Sequence, residues 1–362
     1  MTKIIYLCFS LFVVYLIKIN KKYNLIWEQT GKKIWNRKIF EYLRKDNQIT
    51  QHTHNDKIYF YKKNDHENKL CGLESDSCIN INTDFPELKE YCNDKTLFLY
   101  VISPQFTPLT LFFNRYGTKE KEKNFKKNDL SLTLKDKDLL DSQHYVVSNK
   151  LINTQGRIIK KPLVGSQGKG IEVIGDLQNC FVNKNVFELN KYLYQEEIKP
   201  KLLNGYKFDI RYFAVIIVKN NSIEIEHIPY AMIRLCSKKF SFDTNDLHSN
   251  LTNTSVNKDN KCTISICKDD EKWKKYFIDM EIITNDFFNN TIKEIGEKSF
   301  YRINDISIAS TRIIGFDFII SQDDEMFILE SNYSPGDNTY YGSECKKKVI
   351  EYYAENIIKK IL

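Results

Sequence analysis

The stretch from Ile313 to Asn332 constrains this chain more than any other. Ile313–Ile320 and Met326–Ser331 read as two apolar strands turning at Gln322–Glu325, a hairpin. Each strand carries one carboxylate: Asp317 lies within Gly315-Phe-Asp317-Phe-Ile-Ile, and Glu330 ends Met326-Phe-Ile-Leu-Glu330. A charge buried in such a strand needs a counter-charge or a metal, because unpaired it loses its hydration for nothing. Glu330 and Asn332 stand at i and i+2, so a strand puts them on one face. With Asp317 they offer three oxygen ligands, the donor type that suits Mg2+. The plainer alternative is that both acids face solvent.

A second constellation begins at Arg157. Arg157–Pro162 (RIIKKP) and Ile171–Ile174 (IEVI) read as strands around a glycine-rich tip, GSQGKG. Backbone N–H groups of such a tip can wrap a polyphosphate, with Lys161 as a point charge beside it. No Gly-Lys-Ser/Thr opens a helix and no GxGxxG follows a strand, so neither common nucleotide fingerprint is present. A plain hairpin tip is the competing reading. In Lys207-Phe-Asp209-Ile-Arg211, strand alternation puts the three charged residues on one face. That face suits phosphate and ribose, or else forms a surface salt-bridge ladder. Asp209–Lys219 and Ser222–Tyr230 form a hairpin turning at Asn220-Asn221, and Arg234 just after it can reach the same face.

Tyr192–Ile198 reads as a short strand, and Thr96–Ser103 (TLFLYVIS) as a buried strand bounded by Asp94 and Pro104. Gln48–Asn82 reads as loop-rich. Trp273–Glu297 and Cys345–Leu362 have helical apolar spacing. The charge-rich Lys119–Lys137 reads as a solvated helix or loop. Helices on largely antiparallel sheets make an α+β chain. With 362 residues, 42% of them hydrophobic, wholesale disorder is excluded. Lys and Arg number 54 against 47 Asp and Glu, and the net +7 permits an anionic partner. Few of the basic residues are Arg, so no nucleic-acid partner is expected. The nine cysteines lack zinc-knuckle spacing, and unpaired thiols suit a reducing compartment.

Residues 4–17 (IIYLCFSLFVVYLI) form an unbroken apolar run. It reads as a membrane anchor, a cleaved signal, or a buried first segment; no small-residue cleavage site follows it. The anchor reading is preferred. Lys18, Lys21 and Lys22 then leave the main domain on the cytosolic side.

The ordered segments KPLVGSQGKGI, YQEEIKPKLLNGYKFDIRYFAVI, AMIRLCSKKFSF, NLTNTSVNK and GFDFIISQDDEMFILESNYSPG resemble the tubulin–tyrosine ligase family of the ATP-grasp superfamily. The resemblance spans roughly residues 110–345. It implies an ATP-grasp fold with nucleotide held between two subdomains. The expected organisation is an anchor at 1–22, an N-terminal subdomain at 23–110, a central subdomain with the glycine loop at 111–191, and a C-terminal subdomain with the metal site at 192–362.

The resemblance also implies roles. Lys161 and Ser166, Gln167, Gly168, Lys169 and Gly170 cover the phosphates of ATP. The segment Gln195, Glu196 to Ile198 is the adenine hinge. Lys207, Asp209 and Arg211 line the nucleotide and acceptor side, and Arg234 stabilises the transferring phosphoryl group. Thr252 and Asn253 lie beside the nucleotide, and Asp317, Glu330 and Asn332 hold Mg2+. The implied reaction joins a free amino acid to a carboxylate of an acidic protein, such as tubulin, through an acyl phosphate. This chain departs from the family at Asn250, where a histidine is usual, and in its hinge, Gln-Glu-Glu-Ile. An upstream nucleotide lysine has Lys126, Lys127 and Lys135 as candidates. A ligase with a small-molecule or non-tubulin acceptor, and a membrane-tethered nucleotide-binding protein without catalysis, are the alternatives.

Overall fold

The structure, a computed structural model, describes residues 49–54, 57–62, 79–81, 85–113, 145–146, 157–163, 169–176, 191–241, 246–252, 257, 263–301, 309–333, 335 and 344–358. Strands β1 (Ile49–His54), β2 (Lys57–Lys62) and β3 (Ile79–Ile81) come first, within the stretch expected to be loop-rich. They form because β1 and β2 pair antiparallel, and β3 then joins a distant strand, a partner that local composition cannot reveal.

Helices α1 (Pro86–Asn93) and α2 (Lys95–Val101) follow. Helix α2 corrects the strand expected at Thr96–Ser103. Asp94 caps it, its carboxylate accepting from the Thr96 N–H at 2.7 Å and the Leu97 N–H at 3.3 Å. Leu97, Phe98 and Val101 are buried at helical spacing. A seven-residue apolar run fits either state, and here the cap decides.

A smaller, five-stranded sheet then forms from β4 (Thr110–Phe113), β5 (Tyr145–Val146), β6 (Arg157–Pro162), β7 (Glu172–Asp176) and β8 (Tyr192–Glu196). Its order is β5-β4-β8-β6-β7, antiparallel throughout.

Next come β9 (Leu202–Leu203), β10 (Tyr206–Lys219), β11 (Ser222–His227), β12 (Tyr230–Leu235), helix α3 (Leu247–Asn250) and β13 (Thr263–Cys267). The β10–β11 turn places Asn220 and Asn221 at φ 50 and 56°, a left-handed pair that Asn tolerates. The return strand expected over Ser222–Tyr230 is split at Ile228-Pro229, because proline offers no ladder donor. Arg234 therefore lies inside β12, directly opposite Asp209, rather than beyond the hairpin.

Helices α4 (Glu271–Ile295) and α5 (Lys298–Tyr301), strands β14 (Ala309–Ile320) and β15 (Met326–Asn332), and helix α6 (Glu344–Tyr352) with a π-helical turn at Tyr353–Ile358 complete the chain. The large sheet runs β1-β2-β3-β14-β10-β12-β13, with β9, β11 and β15 added alongside. Only β3 and β14 pair in parallel among these described strands. Asp270 caps α4 through the Lys272 N–H at 3.0 Å, and Gly296 ends it at φ 83°. Its buried row of Trp273, Phe277, Met280, Ile283 and Phe287 covers one face of the sheet, against Phe208, Ile210, Phe316 and Phe318. Burying each such side chain is worth roughly 1.5–3 kcal/mol. Helix α6 covers the other face, against Phe213, Val215, Ile217 and Ile313.

The apolar run at residues 4–17 and the charge-rich Lys119–Lys137 lie outside the described residues. Among the described residues, no helix is long and apolar enough to cross a membrane.

His227 supplies a pH test of the α4 packing. Its ring stacks on Tyr212, and Nε2 sits 2.9 Å from Asn285 Oδ1 on α4. Burial lowers its pKa, and Asn285, Glu281 and Glu226 offset this only in part. A base whose folded pKa lies below its unfolded value of about 6.5 costs stability as pH falls through that window. The melting temperature should therefore drop as pH falls below about 6.5, and His227→Gln should flatten the drop. Equal slopes in the two proteins would count against this role.

Candidate active site

Strand β10 carries core and charge on one face. Phe213, Val215 and Ile217 lie under α6, and the same alternation continues to Lys207, Asp209 and Arg211, where a cleft replaces the helix. The cleft lies between the two sheets and encloses about 960 Å³ of empty space, its open mouth included. From the small sheet it is lined by Lys161, Gln195 and Glu196, with Ile198 from the segment after β8 and Lys169 at the loop side. From the large sheet come Lys207, Asp209, Arg234, Asp317 and Glu330, with Thr252 from the segment after α3.

Asp317 is the electrostatic centre. Arg211 grips both its oxygens, with Nη2–Oδ2 at 2.8 Å, and Arg234 Nη2 lies 3.0 Å from Oδ2. Arg234 also forks onto Asp209 at 2.6 and 2.5 Å, and Thr252 donates its hydroxyl to Asp209 Oδ2. Asp209, Arg234, Thr252 and Asp317 are buried and the Arg211 side chain is only 12% exposed, so the surface-ladder alternative does not hold. Burial alone would raise the Asp317 pKa, but Arg211 and Arg234 override it and hold the carboxyl well below the usual range.

Glu330 is the Cα partner of Asp317 across the β14–β15 ladder, and the two carboxyls share a hydrogen bond. Burial first, then Asp317, push the Glu330 pKa up; Arg211 and Lys161 pull less strongly the other way. Two adjacent carboxyls whose charges oppose each other form a pair that a divalent cation can bridge. Asn332 stands opposite Gly315 on the same face; its side-chain nitrogen is buried with no hydrogen-bond partner among the described residues, and its amide oxygen is the atom that can ligate a cation. That donor set fits Mg2+, which Asp317, Glu330 and Asn332 would hold.

Among the glycines with a described environment, Gly315 is the most crowded. A Cβ there would sit 2.9 Å from Pro335 Cβ and 3.2 Å from Arg211 Cδ. Gly315→Ala should therefore displace Arg211 from Asp317, at a cost of about 1–3 kcal/mol from overpacking. Nucleotide binding measured by calorimetry should weaken more than the thermal midpoint falls; native affinity would show that Arg211 does not depend on the glycine.

Across the cleft Lys161 donates to Gln195 Oε1 at 2.5 Å, and Gln195 donates on to Thr110. Burial pushes Lys161 down to about 8, with Glu330 raising it and Lys95 and Lys207 lowering it further. A partly desolvated ammonium gains from an anion such as a polyphosphate placed beside it. Glu196 accepts from the Leu109 N–H at 2.9 Å, and burial raises its pKa.

Gly170 takes φ 73° at the loop base, a left-handed value that glycine meets without strain. Ser166, Gln167, Gly168 and Asn253 lie outside the described residues, as do Lys126, Lys127 and Lys135. Sequence reasoning missed Lys95, Arg157 and Glu197 here. Lys95, the first residue of α2, lines the cleft. Arg157 and Lys207 both pair with the buried Glu197, at 2.6 and 3.2 Å, and Arg157 also donates to Asn250 at 3.0 Å. Lys95 was masked by reading α2 as a strand; the Glu197 pairs join residues far apart in sequence.

Comparison with known proteins follows the same residues. The model of the tubulin-tyrosine ligase family matches residues 109–359. A tubulin polyglutamylase of Mus musculus, TTLL7, is 31% identical over 124 residues, covering 33% of this chain and 13% of its own length. Tubulin glycylase 3B of Tetrahymena thermophila is 28% identical over 247 residues, 64% of this chain and 20% of its own. The chain thus spans a fifth or less of the length of these relatives. The family match covers more than half of the chain and includes both sheets' cleft-lining strands: this protein belongs to the tubulin-tyrosine ligase family, with its ATP-grasp-like architecture.

Proposed function

We propose that the chain is an ATP-dependent ligase that joins the amine of an amino acid to a protein carboxylate, with tubulin as the favoured acceptor. One observation carries the reading. Lys161 faces the Asp317–Glu330 pair across one cleft, in a chain of this family. The relatives named for polyglutamylation and glycylation support glutamate or glycine as the amino acid, with tyrosine as the third choice.

Lys161 and Lys169 supply charge to the phosphates, and the Gln195–Ile198 edge receives the base through backbone groups. Magnesium, when bound, neutralises phosphate oxygens and makes the terminal phosphorus more open to attack by a carboxylate. The acceptor carboxylate displaces ADP to give an acyl phosphate, and the amine then displaces phosphate to give the amide. Arg234 lies among the cleft charges, suited to stabilise the charge that develops at each step, and Arg211 and Asp209 fix its surroundings. Lys207, held by Glu197, adds a fixed cation at the same wall. No Ser–His or Cys–His pair is required, because the chemistry is positioning and charge stabilisation.

The test gives the purified chain Mg-ATP, tubulin and labelled glutamate, glycine or tyrosine in separate reactions. Label should enter tubulin with one amino acid and only with ATP. ADP release without label in tubulin would move the reading to another acceptor, and no ATP turnover at all would sink it. The apolar run at residues 4–17 supports a second proposal, a membrane anchor that leaves the catalytic domain cytosolic. Carbonate extraction should retain the full chain in membranes and release a chain lacking residues 1–22; equal release of both removes the anchor.

A further inference from the structure

We infer that Arg312 and Tyr333 are positioning residues for the strand that carries the metal ligands, gripping its end from the sheet face opposite the cleft. This rests on the reading of Asp317, Glu330 and Asn332 as cation ligands. Alternation along β14 sends Gly315 and Asp317 toward the cleft, and Ile314, Phe316 and Phe318 into the core beneath α4. Arg312 falls on that core side. It is among the largest fully buried side chains of the described residues.

Arg312 Nε and Nη2 both donate to the Tyr333 carbonyl, at 3.0 and 2.7 Å. Its guanidinium also lies 3.8 Å over the centre of the Tyr333 ring. Tyr333 follows Asn332 directly. The Tyr333 phenol oxygen accepts from the Phe85 N–H at 2.5 Å, and the Ser331 hydroxyl donates to the Cys92 carbonyl at 3.1 Å. Both neighbours of Asn332 are thus anchored on the back of the sheet. Asn332 itself has a buried side-chain nitrogen with no bond among the described residues. The backbone that carries this amide takes its position from these anchors.

A guanidinium is a costly choice for filling a core, since a neutral apolar side chain would pack there without a charge to desolvate. What the planar fork adds is geometry. Two donors on one carbonyl and a stacked ring fix both the place and the tilt of residue 333. Partners of this kind tune a metal site without touching the ion.

The experiment measures Mn2+ binding to the full chain with ATP, by the loss of the free-ion electron paramagnetic resonance signal, beside each variant's thermal midpoint. Arg312→Met should weaken Mn2+ binding about 10-fold, with Arg312→Lys and Tyr333→Phe in between. A purely structural role would lower the thermal midpoint and leave the Mn2+ affinity of the folded protein unchanged; that result overturns the inference. If Arg312→Met does not fold, unchanged affinity in both Arg312→Lys and Tyr333→Phe overturns it equally. Absence of ATP-dependent Mn2+ binding by the native chain instead removes the cation reading, and the inference with it.

Discussion

Glu330→Gln should abolish both ligase turnover and the rise in thermal midpoint that Mg-ATP produces, while leaving the ligand-free protein as stable as the native one. The two halves of this result have separate causes. Without a cation, burial and Asp317 push the Glu330 carboxyl toward its neutral form. Gln is nearly isosteric with that neutral acid, so the empty site loses little. With a cation the position must be a carboxylate, and an amide cannot supply the charge. Turnover should fall about 100-fold or more, the scale seen when one preorganised electrostatic group is removed. Scanning calorimetry with and without Mg-ATP, beside single-turnover kinetics, separates the two halves. A variant that keeps the Mg-ATP shift would show that Glu330 is not a ligand.

Asp317→Asn should do the reverse on stability. Arg211 grips Asp317 with two bonds and Arg234 with one, all out of water. Removing the carboxylate leaves Arg211 without its acid partner in that grip, and Arg234 with Asp209 alone. Breaking a buried pair from one side costs about 3–5 kcal/mol, because the desolvated charge remains. Urea unfolding should show that loss with little change in slope. A loss under about 1 kcal/mol would mean the arginines are solvated or re-paired. Activity should vanish with the stability, so the contrast between the two acids lies in the ligand-free proteins.

The parts legible in the sequence share one property: their signal is local. Acids set in apolar runs revealed the β14–β15 hairpin, and charge alternation placed Lys207, Asp209 and Arg211 on one face of β10. Spacing alone was enough for α4. What sequence reasoning missed depends on partners far along the chain or on a single cap. Helix α2 turns on the Asp94 carboxylate, and without it the same apolar run fits a strand. Strand β3 exists because β14 offers it a parallel edge more than two hundred residues away. Glu197 reads as a variant hinge residue, yet in the fold it joins Arg157 to Lys207. Arg312 gave no signal at all, since a lone arginine ahead of an apolar strand reads as its solvated end.

The continuous face of β10 has a consequence for amide exchange. This strand is bonded to β14 along Ile210–Lys219 and to β12 and β11 on its other side. The charged end and the apolar end therefore belong to one cooperative unit. Amides at Ile210 and Arg211, beside the cleft's charged groups, should exchange with deuterium as slowly as those of Ala214 and Ile216 deep in the core, through global unfolding alone. Catalytic walls usually draw on the loosely held parts of a fold. In the proposed ligase this wall of the cleft should be among the last parts to open.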